Sequence, residues 1–412
     1  MVLKLKVLLR ESKNSSNILT QKILAMFRNE MTYGYDDIGI IPAMKSEINH
    51  RSECNTKKGG MLPIFTAPMS TVLNENNWAI FQDNGIIPII PRSVSLEKRH
   101  NFLTNGLWVA YSLTEFEEFV SSHDKLDKPV KICIDMANGN MSSLFTLAKN
   151  ARKKYGDNIL LMSGNIANPS SYIEYCKAGI DYVRVAVGSG AGCTSSSNLG
   201  IHMGIATLVN ETFIQKKHAE NYNRYAQDET LNYEPYLRIT KIIADGGIRN
   251  YDDVNKALAL GADYVMIGSL FSALVESCAQ TFYYDSSDNI HILDPFDKHT
   301  LIREEEGIFG VSTFDDNGNE TDYSLIKSIK KRFYGMASKA GQMDLFGKKK
   351  RTSEGKEVIL NCTTNIDKWV ENMNDFLASA MSYCNVSDIV DFNPNQIETT
   401  LVSPREQAAV NK

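Results

Sequence analysis

Eight short apolar, β-branched runs recur along this chain: Leu62–Ala67, Ile86–Ile90, Leu107–Tyr111, Val130–Asp135, Ile159–Ser163, Asp181–Val187, Lys241–Asp245 and Asp263–Ile267. Each run is continuous rather than alternating, which suits a strand buried on both faces of a parallel sheet. The segments between them carry helical spacing. Leu113–Val120 and Tyr251–Leu260 are two examples, and Gly261 follows the second as a helix terminator. Eight β–α repeats predict an α/β fold, a (β/α)8 TIM barrel, with an open doubly wound sheet as the alternative. The chain has 412 residues, 43% of them hydrophobic, which is more than such a barrel needs.

The surplus falls in recognisable places. Residues 1–30 read as an extension outside the fold, disordered or non-native, and 31–394 as one barrel domain. Residues 285–330 are polar and acidic and read as an inserted excursion, or as a plain surface loop. Residues 339–356 read as a mobile flap after strand eight, and 395–412 as a disordered tail. A net charge of −5 leaves no nucleic-acid footprint. No apolar run approaches membrane length. Seven scattered cysteines, without metal-ligand spacing, point to a reducing, cytoplasmic compartment and no structural zinc.

Barrel active sites lie at the C-terminal ends of the strands. Asp135, Gly164-Asn165, Gly188–Ser195, Asp245–Gly247 and Gly268-Ser269 stand there. Gly246, Gly247, Gly268 and Ser269 follow the last two strands, where barrels cradle phosphate; the alternative is tight turns without a ligand. Asp245 cannot favour phosphate, so a sugar hydroxyl is its better partner. Cys193 sits in the glycine-rich loop Gly188-Ser-Gly-Ala-Gly-Cys-Thr-Ser195, where a thiol can be held as a nucleophile or simply buried.

Several motifs occur in one order: Ala67-Pro-Met-Ser-Thr-Val72, the Gly188–Cys193 loop, Ile243-Ala-Asp-Gly-Gly-Ile248, Val265-Met-Ile-Gly-Ser-Leu270 and Phe333-Tyr-Gly-Met336. Together they resemble the inosine monophosphate dehydrogenase/GMP reductase family, over about residues 31–285 and 330–390. The resemblance implies a barrel, assembled as a homotetramer, that binds a purine nucleoside monophosphate, with Cys193 attacking purine C2. Within the family the chain looks closest to GMP reductase. Only Pro91–Gly106 separates strands two and three, which leaves no room for CBS modules. Gly341–Arg351 holds no Arg-Tyr pair of the kind a dehydrogenase uses to activate water. Arg351-Thr-Ser-Glu-Gly-Lys356 resembles the reductase segment that carries a catalytic glutamate, here Glu354. Ile132–Gly139 and Arg51–Glu53 also look like the reductase.

That branch implies NADPH-dependent reductive deamination of GMP to IMP and ammonia, a step of purine interconversion. Ser195, or its neighbour Thr194, would relay the proton with Glu354. Asp245 would hold the ribose, and Gly246, Gly247, Gly268 and Ser269 the phosphate. Gly335, Met336, Ala337, Arg351, Ser353 and Gly355 would flank nucleotide and base. His50, Arg51, Arg92, Asp135, Met136, Ala137, Ser379 and Ser382 match cofactor positions, the last two across a subunit boundary. Backbone carbonyls of Gly188, Gly190 and Cys193 match a potassium site. The chain departs from the pattern at Ser195 for threonine, Ala191 for serine and Ser70 for aspartate, and Thr194–Asn198 lacks the usual basic residue. A CBS-free IMP dehydrogenase and a silent nucleotide-binding barrel are the alternatives.

Overall fold

A computed structural model describes residues 30–190, 192, 194–226, 237–293, 297, 299–305, 308–348, 352–353 and 355–403, with the backbone alone at 304 and 305. The chain divides after Thr32, and the unit that begins at Tyr33 carries the barrel.

A first strand, β1 (Ile38–Ile41), precedes the eight that build the core. Those eight are β2 (Ile64–Thr66), β3 (Ile89–Ile90), β4 (Trp108–Tyr111), β5 (Val130–Asp135), β6 (Ile159–Ile166), β7 (Tyr182–Val185), β8 (Lys241–Asp245) and β9 (Tyr264–Ile267). Every pairing among them is parallel, in the order β2-β9-β8-β7-β6-β5-β4-β3. A parallel bridge from Phe65 to Ile87 joins the two ends of that order, so the sheet curls shut. This is the (β/α)8 barrel. All eight expected runs carry strands; several are trimmed at one or both ends because the barrel pairs only part of the run, and β6 runs on to Ile166. Between β3 and β4 stands a single helix, Leu96–Thr104.

The helices follow from local chemistry. Leu113–Ser122 opens on a capping box: Ser112 Oγ accepts from the Glu115 N–H, and Glu115 accepts from the Ser112 N–H. It buries Phe116, Phe119 and Val120, one face at helical spacing. Tyr251–Ala259 closes as expected at Gly261: the Ala262 N–H reaches the Ala257 carbonyl and the Gly261 N–H the Leu258 carbonyl. Apolar side chains on the outer strand faces and inner helix faces form one continuous core. A second, smaller cluster fills the barrel interior. Among the described residues no helix is long and apolar enough to cross a membrane.

The excursion is not a surface loop. Its described residues, with the segments that flank it, form an antiparallel sheet of six strands: β10 (Gln280–Asp285), β11 (Ile290–Leu293), β12 (Thr300–Glu305), β13 (Ile308–Phe314), β14 (Glu320–Tyr334) and β15 (Glu357–Cys362). Two of its hairpin turns repeat one device. Asp285 accepts from the backbone N–H groups of Ser287 and Asn289 and from the Asn289 side chain; Asp315 does the same with Asn317 and Asn319. β14 pairs with β15 from Ile329/Cys362 to Tyr334/Glu357, so the sheet grips both roots of the flap segment. Within that segment Lys339–Phe346 is a helix. The expected tail also folds in part: β16 (Glu398–Leu401) pairs antiparallel with β1. A β-branched strand needs only a partner edge, and β1 supplies it from the other end of the chain.

Candidate active site

A cavity of about 430 Å³ opens at the C-terminal ends of the barrel strands. One wall is the turn after β8. Gly246 and Gly247 take φ of +119° and +75°, a left-handed path that glycine follows without strain. The turn is tied down by Asp253, whose Oδ2 accepts from the Arg249 N–H at 2.7 Å. Gly268 and Ser269, at the end of β9, continue that wall. A second wall is Gly335, Met336 and Ala337, which follow β14. Arg92, Asp135, Met136 and Ala137 form a third side, and Gly188, Ser189, Gly190, Gly192 and Ser195 a fourth.

Three glycines knit the loop after β7 to the flap roots. The Lys356 N–H donates to the Gly192 carbonyl at 3.0 Å. A Cβ on Gly192 would lie 2.8 Å from the Gly335 nitrogen, and one on Gly355 would lie 3.0 Å from the Gly192 oxygen. Side chains at these positions would push the three segments apart. Gly192 immediately precedes Cys193 in the sequence, and Lys356 lies two residues after Glu354. Cys193, Glu354 and Arg351 themselves lie outside the described residues, as do Ala191, Lys349 and Lys350.

Thr194 and Ser195 differ in their surroundings. Ser195 lines the cavity, whereas Thr194 Oγ1 accepts from Asn198 Nδ2 at 3.1 Å and is not part of the lining. Ser353 Oγ donates to the Gly355 carbonyl at 2.7 Å, and neither residue lines the cavity. His50, Arg51, Ser379 and Ser382 are gathered elsewhere. Arg51 pairs with Asp375 on the helix Ile366–Tyr383, which also carries Ser379 and Ser382. None of the four reaches the cavity of its own chain.

The cavity floor holds two residues to which the sequence alone assigned no role. Arg184, inside the apolar run of β7, is buried between Asp135 at 2.8 Å and Asp245 at 2.9 Å. Asn165 Nδ2 donates to Asp245 Oδ2 at 2.6 Å. Burial opposes the charge of Arg184, yet Asp245, Cys133 and Asp135 hold its pKa well above the ordinary value. The signal in the sequence was an arginine within a strand otherwise buried on both faces, where an unpaired charge is prohibitively costly. Cys133, buried in the barrel interior against Arg184, is not part of the lining, and burial pushes it up to about 12, far from a working nucleophile.

Arg92 is held differently. Its Nε is buried without a hydrogen-bond partner, and its nearest acids, Glu115 and Asp135, stand 3.9 Å away. Ser189 Oγ, beside Gly246, is likewise buried and unpartnered. Buried donors without acceptors cost about 1–3 kcal/mol each, so they mark places where a ligand's acceptors are stabilising. Among the described residues no group of three or more His, Cys, Asp or Glu side chains is arranged to hold a metal ion.

The IMP dehydrogenase/GMP reductase domain model matches residues 110–291. The GMP reductase of Staphylococcus epidermidis is 32% identical over 266 residues, which cover 61% of this chain and 75% of that protein. The GMP reductase of Bacillus subtilis is 29% identical over 269 residues, covering 62% and 76%. That of Streptococcus suis is 30% identical over 271 residues, covering 63% and 76%. The matched domain contains β5 to β9 and the end of β4, and with them the cavity floor; with a relative 32% identical and covered over 75% of its length, the chain belongs to the IMP dehydrogenase/GMP reductase family.

Proposed function

We propose that this oxidoreductase is a GMP reductase, converting GMP, NADPH and two protons to IMP, ammonium and NADP⁺. The observation that carries the reading is the backbone tie between Gly192 and Lys356, which joins the sequence neighbours of Cys193 to those of Glu354 at the rim of a nucleotide-sized cavity. Supporting it, the Staphylococcus and Bacillus relatives are GMP reductases.

The nucleotide lies with its phosphate against Gly246, Gly247, Gly268 and Ser269 and its ribose against Asp245. All three described contacts to Asp245, from Asn165 Nδ2 and from Arg184 Nε and Nη2, fall on Oδ2, so Oδ1 faces no competing donor among the described residues. Gly335–Ala337, with Arg351, flank the base, whereas Ser353 and Gly355, which do not line the cavity, act through the segment that carries them. The Cys193 thiolate adds to guanine C2, splitting one hard displacement into two steps. The C2–N bond then breaks, and the leaving amine takes its proton through Ser195 and Glu354. Ser195 is favoured over Thr194 as the relay because it lines the cavity. The planar thioimidate accepts hydride at C2, and the C–S bond breaks to release IMP and the thiol.

A nicotinamide fits the third side of the cavity, where the orphaned Arg92 Nε and the Asp135 carboxylate offer a donor and an acceptor. When bound there, NADPH supplies the hydride. Arg92 and Asp135–Ala137 orient it, and the flap wall excludes water. His50, Arg51, Ser379 and Ser382 serve the cofactor's far end from a neighbouring subunit of a homotetramer, in keeping with their distance from the cavity of their own chain. Potassium suits uncharged hard oxygens such as the carbonyls of Gly188, Gly190 and Cys193. The Gly188 carbonyl accepts from Ser196 Oγ at 3.3 Å and keeps a second lone pair. The ion's role is to order the loop. The cytoplasm, where both nucleotides are available, is the fitting compartment.

The test follows nicotinamide absorbance with GMP and NADPH, and in parallel with IMP and NAD⁺. Oxidation with the first pair alone is expected. Reduction with the second pair assigns a dehydrogenase instead, and no turnover with either overturns an enzymatic reading. Cys193→Ala should lower turnover by at least about a thousandfold while GMP still binds.

A further inference from the structure

Arg184 is the one described side chain that touches both acids of the cavity floor. Its Nη1 donates to Asp135 Oδ1 at 2.8 Å. Its Nε donates to Asp245 Oδ2 at 2.9 Å, and Nη2 stands 2.9 Å from the same oxygen. Asp135 ends β5 and Asp245 ends β8, so the guanidinium spans the sheet across β6. Gly164 of β6 makes the span possible: a Cβ there would lie 2.5 Å from the Arg184 carbonyl and 2.6 Å from its Cβ. The remaining neighbours fix the fork without neutralising it. Cys133 lies 3.8 Å from Nη1, Asn165 braces Asp245, and Arg92 stands 3.9 Å beyond Asp135.

A guanidinium is a rigid planar fork, so the orientation of one acid fixes that of the other. Neither acid alone satisfies the buried charge, and loss of either leaves Arg184 half paired. With GMP and NADPH as the ligands, Asp245 faces the nucleotide ribose and Asp135 the nicotinamide cofactor. We propose that Arg184 is a positioning residue that couples the two subsites, so that nucleotide and cofactor each bind more tightly when the other is present. A ligand that locks Asp245 locks Arg184, and through it Asp135. The second ligand then meets an acceptor already ordered. Because coupling is reciprocal, the gain is the same factor in both directions.

The inference rests on the nucleotide reading, and one experiment separates the two. GMP and NADP⁺ form a non-reacting pair whose affinities calorimetry reads singly and together. In the wild type, saturating NADP⁺ is expected to tighten GMP about fivefold or more, and GMP to tighten NADP⁺ by the same factor. Arg184→Lys keeps a charge but has no fork, so the factor should fall to within about twofold of unity. Arg184→Met should lose the coupling and raise KM for both substrates together. A thermal melt reports whether each variant folds, and if the methionine variant does not, the lysine variant carries the test. A purely structural role would lower both affinities yet leave their ratio intact. An Arg184→Lys protein with the wild-type coupling factor overturns this inference alone, as does a wild type with no coupling. A wild type that binds neither ligand overturns the nucleotide reading and this inference with it.

Discussion

The two ends of the barrel are built from the same eight strands and opposite chemistry. At the N-terminal end Phe65, Trp108, Tyr182 and Tyr264 pack edge to face, the Phe65–Tyr264 pair tilted, with ring centroids 5.2–6.1 Å apart. Lys58 and Lys241 lie over Tyr264 and Tyr182, each 5.1 Å from the ring centre, and Lys58 Nζ donates to the Asp263 carbonyl at 2.8 Å. That end is a plug. At the C-terminal end the strands finish in Asp135, Asn165 and Asp245, the turns are glycine, and buried donors on Arg92 and Ser189 lack acceptors. The plug adds stability, and among the described residues none of its side chains leaves a buried polar atom unsatisfied. The open end carries a charge network whose cost is offset only when every partner is in place. Stability and recognition are thus separated along single strands: β7 begins with Tyr182 in the plug and places Arg184 two residues later in the cavity floor.

A pair of substitutions can break this division. Trp108→Ala empties a buried indole site and should cost about 3–5 kcal/mol in urea unfolding, with GMP affinity of the folded protein unchanged within about twofold. Ser269→Ala should do the reverse, weakening GMP about tenfold while unfolding free energy moves by less than about 0.5 kcal/mol. If the tryptophan variant loses GMP as severely as the serine variant, the two ends are not separable.

A second test asks whether a buried cation outside the cavity behaves as the floor does. Lys331, on β14, is fully buried, and its Nζ donates to the Val275 carbonyl at 2.9 Å. Burial pushes its pKa down to about 8, partly offset by Cys362, Glu276 and Cys278. Unlike Arg184, it has no carboxylate in hydrogen-bond contact among the described residues. Between pH 8 and 10.5 the unfolded chain holds a proton here that the folded chain has shed, so stability should rise with pH across that window. The wild type should gain about 3 kcal/mol relative to Lys331→Met over the interval. A stability difference flat in pH would mean that the ammonium stays charged and paired.

How legible each region was follows from how local its determinants are. Val130–Asp135 and Lys241–Asp245 fold to the residues expected, since a continuous apolar run ending in a charged side chain marks both strand and rim. Ile86–Ile90 gives only Ile89–Ile90, because Pro88 has no N–H for the ladder and the chain bridges Phe65 through Ile87 instead. Arg184 stayed hidden because its role depends on two acids from other strands. The excursion held a signal that its acidity masked: Asp285-Ser-Ser-Asp-Asn289 and Asp315-Asp-Asn-Gly-Asn319 share the Asp-x-x-x-Asn spacing that closes both hairpins. His50, Arg51, Ser379 and Ser382 came from resemblance alone, and no property of one chain could say which subunit's cavity they serve.

The smallest expected effect concerns the wall that the open end has and the plug lacks. The helix Lys339–Phe346 stands at the cavity rim, where Leu345 joins the lining. Its Asp344 Oδ2 accepts from Ser70 Oγ at 2.7 Å and from the Tyr334 hydroxyl at 2.5 Å. Burial and then Asp344 push the Tyr334 hydroxyl up to about 12, so it remains a donor at any working pH. This carboxylate fastens the helix to the loop after β2 on one side and to β14 on the other. Asp344→Ala should raise KM for GMP and NADPH about three- to fivefold with kcat within about twofold, because the wall loosens while the reacting groups stay. Asp344→Asn keeps an acceptor and should fall between. The resemblance expects aspartate at position 70, and there it would face Asp344 across hydrogen-bond distance. Ser70→Asp should therefore weaken binding more than Ser70→Ala does, by like-charge repulsion. If Ser70→Asp instead matches the wild type, the helix is held by other contacts and the rim is packed as independently of its charges as the plug.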